Sequence, residues 1–176
     1  MFFGRDSVMG IRVVLKQYKR SAFKGIFREL KIFTYLENVK NLNQGAELTE
    51  VLQEGSQHDG LPCLLGYKIG ENFGEILMTN GGSSLENWQT TISSKTKKMT
   101  FVLTMLKQLI PALKTLHSFG YSHGDLKLEN VCARPSKGGD IKFTLIDLGM
   151  CSKLMKPDSD PSKKYFRGNY IFCHAM

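Results

Sequence analysis

Over residues 100–119 the apolar side chains Phe101, Val102, Met105, Leu106, Leu109, Ile110, Leu113 and Leu116 recur at i, i+3 and i+4, and Gly120 follows them. That spacing predicts one long helix, apolar over a broad face and therefore central to the half of the molecule that holds it. Pro111 inside the run is expected to kink it. Three residues past Gly120 comes the polar stretch His123-Gly124-Asp125-Leu126-Lys127-Leu128-Glu129-Asn130, with Asp, Lys and Asn at i, i+2 and i+5. A second acid, Asp147, ends the apolar run 141–146, and Leu148-Gly149 follow it. The rest of the chain is read outward from this helix, loop and strand end.

Phosphoryl transfer needs such a set of groups. One carboxylate positions the attacking hydroxyl, an ammonium neutralises the moving phosphate, and an Asn with a further carboxylate holds metal ions. Taken singly, each residue has a plainer structural reading: Asp125 a turn former, His123 a satisfied core histidine, Asn130 a cap. Their joint occurrence in order is what points to chemistry.

Upstream, residues 11–15 (Ile-Arg-Val-Val-Leu) read as a strand that Lys16 closes. From Ser21, a plausible N-cap, to Val39 the apolar residues Phe23, Ile26, Phe27, Leu30, Phe33 and Leu36 fall at helical spacing. Glu29 lies inside that apolar stripe, and a carboxylate on a buried face needs a cationic partner. Lys16 is the natural one. Residues 38–60 read as polar loop, and the runs 61–68 and 75–79 as a hairpin about Gly70-Glu71-Asn72. Asn80-Gly81-Gly82-Ser83-Ser84 reads as a flexible junction, Ser84 as the cap of a short helix over 85–91, and 92–98 as a Ser/Lys-rich loop. Residues 131–133 and 141–146 read as two strands. After Gly149 the chain is polar and Lys-rich.

Composition bounds the reading. The 176 residues, 41% hydrophobic and 23% charged, suit one globular domain. No apolar run is long enough to cross a bilayer, and the first residues do not form a signal peptide, so a cytoplasmic or nuclear chain without membrane partners is expected. Four scattered cysteines without a Cys-x-x-Cys pair read as reduced thiols. The net charge of +8 favours polyanionic partners. A basic nucleic-acid-binding protein is one alternative on that ground, and the lack of aromatic–basic interleaving argues against it.

His-Gly-Asp-Leu-Lys-x-x-Asn followed by Asp-Leu-Gly resembles the catalytic loop and metal-binding turn of eukaryotic protein kinases. The resemblance runs from about Ile11 to the end and implies an α+β, protein kinase-like two-lobe fold. Residues 1–82 would form a partial small, β-rich lobe with the hinge, and 83–176 an incomplete helical large lobe with the catalytic loop and activation segment. The thirteen-residue spacing of Lys16 and Glu29 and the run Glu75-Ile-Leu-Met-Thr-Asn-Gly-Gly-Ser-Ser-Leu-Glu-Asn are similar to the casein kinase I group. So is Phe166-Arg167-Gly168-Asn169-Tyr170-Ile171-Phe172, and Gly124 in place of the usual Arg resembles the vaccinia-related kinases.

The resemblance implies ATP and Mg²⁺, and γ-phosphate transfer to protein serine and threonine hydroxyls. Asp125 would orient the substrate hydroxyl and Lys127 neutralise the γ-phosphate, while Asn130 and Asp147 bind the metal. Lys16, held by Glu29, would bridge the α- and β-phosphates. Met78 would be the gatekeeper and Thr79, Asn80 and Gly81 the backbone that meets adenine. His123, Leu148 and Phe33 would form an apolar support between lobes. The basic run Lys153, Lys156, Lys163, Lys164 and Arg167 would favour acidic or already phosphorylated protein substrates. Without the usual Arg at Gly124, activity is expected not to depend on phosphorylation of Ser152, Ser159 or Ser162. Two departures stand out: no Gly-x-Gly-x-x-Gly precedes Lys16, only Gly4 and Gly10, and the chain stops at Met176. A kinase truncated at both ends is therefore expected, with an inactive pseudokinase scaffold as the alternative.

Overall fold

The computed structural model describes residues 2–5, 12–44, 60–88, 94–136 and 138–154. The first half is built on a four-stranded antiparallel sheet. Strand β1 (Phe2–Arg5) pairs with β2 (Arg12–Lys19), β2 pairs with β4 (Phe73–Thr79), and β4 pairs with β3 (Leu64–Ile69). One 3₁₀ turn (Arg20–Ala22) leads from β2 into helix α1 (Phe23–Gln44).

Several expectations shift here. The segment ahead of residue 11 contributes a strand, β1, that its short Gly-punctuated sequence does not announce. Lys16 does not close its strand but sits in the middle of it, opposite Ile76, because Gln17 and Tyr18 continue the ladder against Glu75 and Gly74. The alternation places Val14, Lys16 and Tyr18 on one face. Ser21 is not a cap: it lies inside the 3₁₀ turn, and no side chain caps that turn. Along α1 the core side is Ile26, Glu29, Ile32, Phe33 and Leu36, whereas Phe27 is 55% exposed. The β3–β4 hairpin forms as predicted, closed by the Gly70 amide on the Phe73 carbonyl at 2.9 Å.

The second half is organised about helix α2 (Lys95–Ser118), which buries Leu109, Ala112 and Leu116. It starts earlier than its apolar pattern, taking in four residues that read as loop, because lysines and Thr are acceptable in a solvent-facing first turn. Pro111 lies within it. A short β5 (Ser83–Ser84) pairs with β7 (Val131–Pro135), and β7 pairs with β8 (Ile141–Leu145). Strands β6 (Tyr121–Ser122) and β9 (Ser152–Lys153) form a separate ribbon. The predicted short helix after Ser84 is a single 3₁₀ turn, Leu85–Trp88. One hydrophobic core runs through both halves, from Val14, Ile26 and Phe33 to Leu116, Leu145 and Leu148.

The expected flexible junction is tightly constrained instead. The Gly82 amide bonds the Asn80 side chain at 2.8 Å, and a Cβ on Gly82 would stand 2.2 Å from the Ala133 carbonyl oxygen. Of the loop expected over 38–60, residues 38–44 instead continue helix α1, and 45–59 lie outside the described residues, as do the segment 166–172, Ser159, Ser162 and most of the basic run.

Candidate active site

Between the two halves lies a cleft of about 640 Å³ whose walls include Val14, Lys16, Glu29, Met78, Thr79, Gly81, Asn130, Cys132 and Asp147. Elements far apart in sequence meet there. From β2, the Lys16 ammonium reaches Glu29 Oε2 at 3.0 Å and Asp147 Oδ1 at 2.7 Å. Glu29 is fully buried, as its place in the apolar stripe required, and its other oxygen accepts the Leu148 amide at 3.3 Å. Burial opposes the charge on Lys16, but the Glu29 and Asp147 carboxylates outweigh it and raise its pKa above the ordinary 10.5. Burial likewise opposes ionisation of Asp147, and Lys16 outweighs it, leaving that carboxyl below its usual value. Both therefore stay charged at neutral pH.

The turn that carries Asp147 is built for this presentation. Asp147 is left-handed (φ 65°), the sole non-glycine residue with positive φ among those described, and its carboxylate accepts the Gly149 amide at 3.4 Å. Asp is one of the few side chains that tolerates this conformation. Arg28 then ties the turn to α1, donating to the Gly149 carbonyl at 2.6 Å.

The loop after α2 closes the other wall. Asp125 Oδ2 accepts from Lys127 Nζ and from Asn130 Nδ2, both at 2.8 Å, and Asn130 Nδ2 also reaches the Asp125 carbonyl at 2.9 Å. The bond to Asp125 raises the Lys127 pKa. Because Asn130 spends its amide nitrogen on Asp125, its carbonyl oxygen is the atom left to offer a ligand. His123 is buried under this loop: Nε2 donates to the Ile146 carbonyl at 3.0 Å and Nδ1 accepts the Asp125 amide at 3.3 Å. These two bonds fix the neutral tautomer, and burial lowers the His123 pKa accordingly. The Ile146 amide bonds the Asn130 carbonyl at 2.8 Å, so loop and strand end are stitched together directly beside Asp147.

Of the site residues read from the sequence, Lys16, Glu29, Met78, Thr79, Gly81, Asn130 and Asp147 thus line one cleft, and Asp125 and Lys127 join it through Asn130. His123, Leu148 and Phe33 are all nearly inaccessible, as a support between the halves would be. Met78 is buried at the back of the cleft. Thr79 spends its amide on the Cys63 carbonyl and its hydroxyl on the Cys63 amide, at 3.0 and 2.9 Å, so its carbonyl is what it can turn to a base. An Asn carbonyl and an Asp carboxylate are hard oxygen donors of the kind Mg²⁺ accepts alongside water and phosphate oxygens, and these two residues fit that ion. Among the described residues there is no cluster of three or more His, Cys, Asp or Glu that could hold a metal without such help. Cys132 and Cys151 are buried thiols whose pKa burial pushes up to about 11 and about 12, which keeps them protonated.

Two participants escape the sequence reading. Arg28 is one, masked by being an ordinary helix arginine. The other is Tyr18, whose phenol donates to Glu29 Oε2 and whose ring lies over the Lys16 ammonium at 5.0 Å. Its signal was its place two residues after Lys16 on the same strand face.

Gly124 also gains a physical cause. Its φ is +80°, and a Cβ there would stand 2.6 Å from the Met150 carbonyl oxygen. No side chain fits, arginine included.

Residues 77–166 match the profile of the lipopolysaccharide kinase (Kdo/WaaP) family. The chain is also 29% identical over 136 residues to nucleosomal histone kinase 1 of Drosophila melanogaster, covering 73% of this chain and 22% of that protein. It is 30% identical over 150 residues to casein kinase II subunit alpha' of Saccharomyces cerevisiae, covering 85% and 37%. Against the probable serine/threonine-protein kinase 2 of Plasmodium falciparum it is 26% identical over 157 residues, covering 89% and 27%. The chain therefore spans well under half the length of these relatives. The α+β, kinase-like fold expected from the sequence is borne out.

Proposed function

The chain belongs to the lipopolysaccharide kinase (Kdo/WaaP) family, and from that premise we propose that it is a serine/threonine protein kinase, passing the γ-phosphate of ATP to protein hydroxyls. The observation that carries this reading is the meeting at one cleft of two bonded charged sets, Lys16 with Glu29 and Asp147, and Asn130 with Asp125 and Lys127. A scaffold has no need to keep both sets intact. The kinase names of the relatives support the transfer chemistry, and one of them carries the serine/threonine description.

In this mechanism adenine lies between Val14 and Cys132, against Met78, Thr79 and Gly81. Lys16 binds the α- and β-phosphates and Glu29 keeps it aimed at them. Asp125 accepts a hydrogen bond from the acceptor hydroxyl and aligns its lone pair with the γ-phosphorus. Lys127 lies beside Asp125 and balances charge on the moving phosphoryl group. Asn130 and Asp147 would hold Mg²⁺, which, when bound, neutralises phosphate charge and orients the leaving oxygen. The casein kinase I-like character rests on the Lys16–Glu29 spacing and the run from Glu75 to Asn87. Acidic or already phosphorylated protein segments suit the net charge of +8.

The family match favours a second reading, in which the acceptor is a sugar hydroxyl of a lipopolysaccharide. The groups that act on ATP are the same, and only the acceptor differs. A transfer assay with labelled ATP and Mg²⁺ on casein and on Kdo-containing lipopolysaccharide separates the two. Transfer to casein, lost by at least about a hundredfold in Asp125→Asn and Asp147→Asn, is expected. Transfer to the lipopolysaccharide alone would replace the first reading by the second. Nucleotide binding with no transfer to either acceptor would leave a pseudokinase.

A further inference from the structure

Among the described residues Glu29 has three hydrogen-bond partners, and only one of them, Lys16, belongs to the phosphate-transfer groups. Its Oε2 accepts from Lys16 Nζ at 3.0 Å and also from the Tyr18 hydroxyl, while Oε1 takes the Leu148 amide. The carboxylate is fully buried, so no water can replace a donor that leaves. Lys16 is the donor with a reason to shift. It is bonded at 2.7 Å to Asp147 Oδ1, an oxygen of the carboxylate that would face Mg²⁺. To serve a nucleotide it must turn from Asp147 toward phosphate while Glu29 stays where it is.

We propose that Tyr18 is a positioning residue for phosphate binding: its phenol holds Glu29 in place while Lys16 exchanges Asp147 for the nucleotide phosphates. This rests on the nucleotide reading of the cleft given above. Tyr18 is placed to be the donor that does not move. It lies on β2, two residues from Lys16, held in the ladder between β2 and β4 opposite Gly74. Its ring packs against the first turns of α1, where a Cβ on Gly25 would meet it at 3.5 Å, and its hydroxyl stands near the Asp147 turn, 3.9 Å from a Cβ placed on Gly149. Strand, helix and turn thus converge on one phenol. Burial, reinforced by the Glu29 charge, raises its pKa far above the ordinary value of 10.0, so at neutral pH the group is a donor. The ring alone could fill this space; the hydroxyl is what the inference concerns, and Tyr18→Phe removes only that.

The test is calorimetric titration of the purified protein and Tyr18→Phe with Mg-ATP and, separately, with adenosine, which has no phosphates. Loss of one hydrogen bond to a charged group should raise the Kd for Mg-ATP about tenfold in Tyr18→Phe. The Kd for adenosine should be unchanged. In a Glu29→Gln background the same Tyr18→Phe change should add no further loss, because Tyr18 acts through the carboxylate. Equal Mg-ATP affinity in the two proteins would overturn the inference. A parallel loss for adenosine would also overturn it, making Tyr18 a packing residue, and so would an additional loss in the Glu29→Gln background. Failure of the unsubstituted protein to bind either compound would overturn the nucleotide reading itself, and this inference with it.

Discussion

At the scale of single residues, the site is set by groups whose neighbours leave no other choice. Gly124 is the clearest. Its backbone is left-handed and the Met150 carbonyl fills the space a side chain would need. Gly124→Ala should therefore destabilise the protein by about 1–3 kcal/mol, read as a drop in the midpoint of denaturant unfolding, with Gly120→Ala as the control. Gly120 also has positive φ (+76°), but nothing lies within 4 Å of a Cβ there, so its cost should be smaller. The sequence shows the missing arginine at once. It does not show why, because the obstructing carbonyl belongs to a residue 26 positions later. Lys16 and Glu29, by contrast, were legible as a pair. A carboxylate inside an apolar stripe is a local anomaly that demands a remote cation, and the preceding strand supplied one.

At the scale of elements, the long periodic segments were read well and the short ones were not. Helix α2 and the β3–β4 hairpin carry their own patterns of hydrophobicity. Strands of two residues, such as β5 and β9, exist only because of what they pair with, so no local signal marks them. β2 runs past Lys16, the charge at which its apolar pattern stops, and that also hides Tyr18. Helix α2 carries a further consequence. Met99, Val102, Leu103, Leu106 and Ile110 fall on one side of it and are 42–60% exposed among the described residues. The helix has no acidic residue. Such a stripe promotes association. Leu103→Lys combined with Ile110→Lys should lower concentration-dependent self-association in light scattering, while unfolding free energy shifts by only about 0.5 kcal/mol per site.

At the scale of the whole molecule, stability should vary with pH in a way the buried groups dictate. The His123 pKa is lowered from 6.5 in the folded protein, so below that pH the unfolded chain takes up a proton the folded one refuses. Stability then falls, by about 1.4 kcal/mol per pH unit for each such proton. The lowered Asp147 pKa adds stability that is present above its ordinary 3.8 and lost as pH falls further. The raised Lys16 pKa acts at the other end: its contribution is full below 10.5 and disappears as pH rises through the folded value. Denaturant midpoints measured from pH 4 to 11 should form a plateau between about 6.5 and 9.0, because above 9.0 the unfolded chain ionises the Cys132 and Cys151 thiols that burial keeps protonated in the folded one. A midpoint independent of pH between 5 and 7 would contradict the neutral, doubly bonded His123. The joins between the halves bear on the same molecule as a mechanism of movement. Two points join the halves: the chain crosses at Gly82, pressed on Ala133, and Gly60, ahead of β3, touches the second half, its carbonyl taking the Leu145 amide at 2.7 Å. Between these points Thr79 and Cys63 bond the two joining stretches side by side. A door hung on two pins swings about the line that joins them and resists twisting. The cleft is hung in that way, so any opening about that line would keep its facing walls in register.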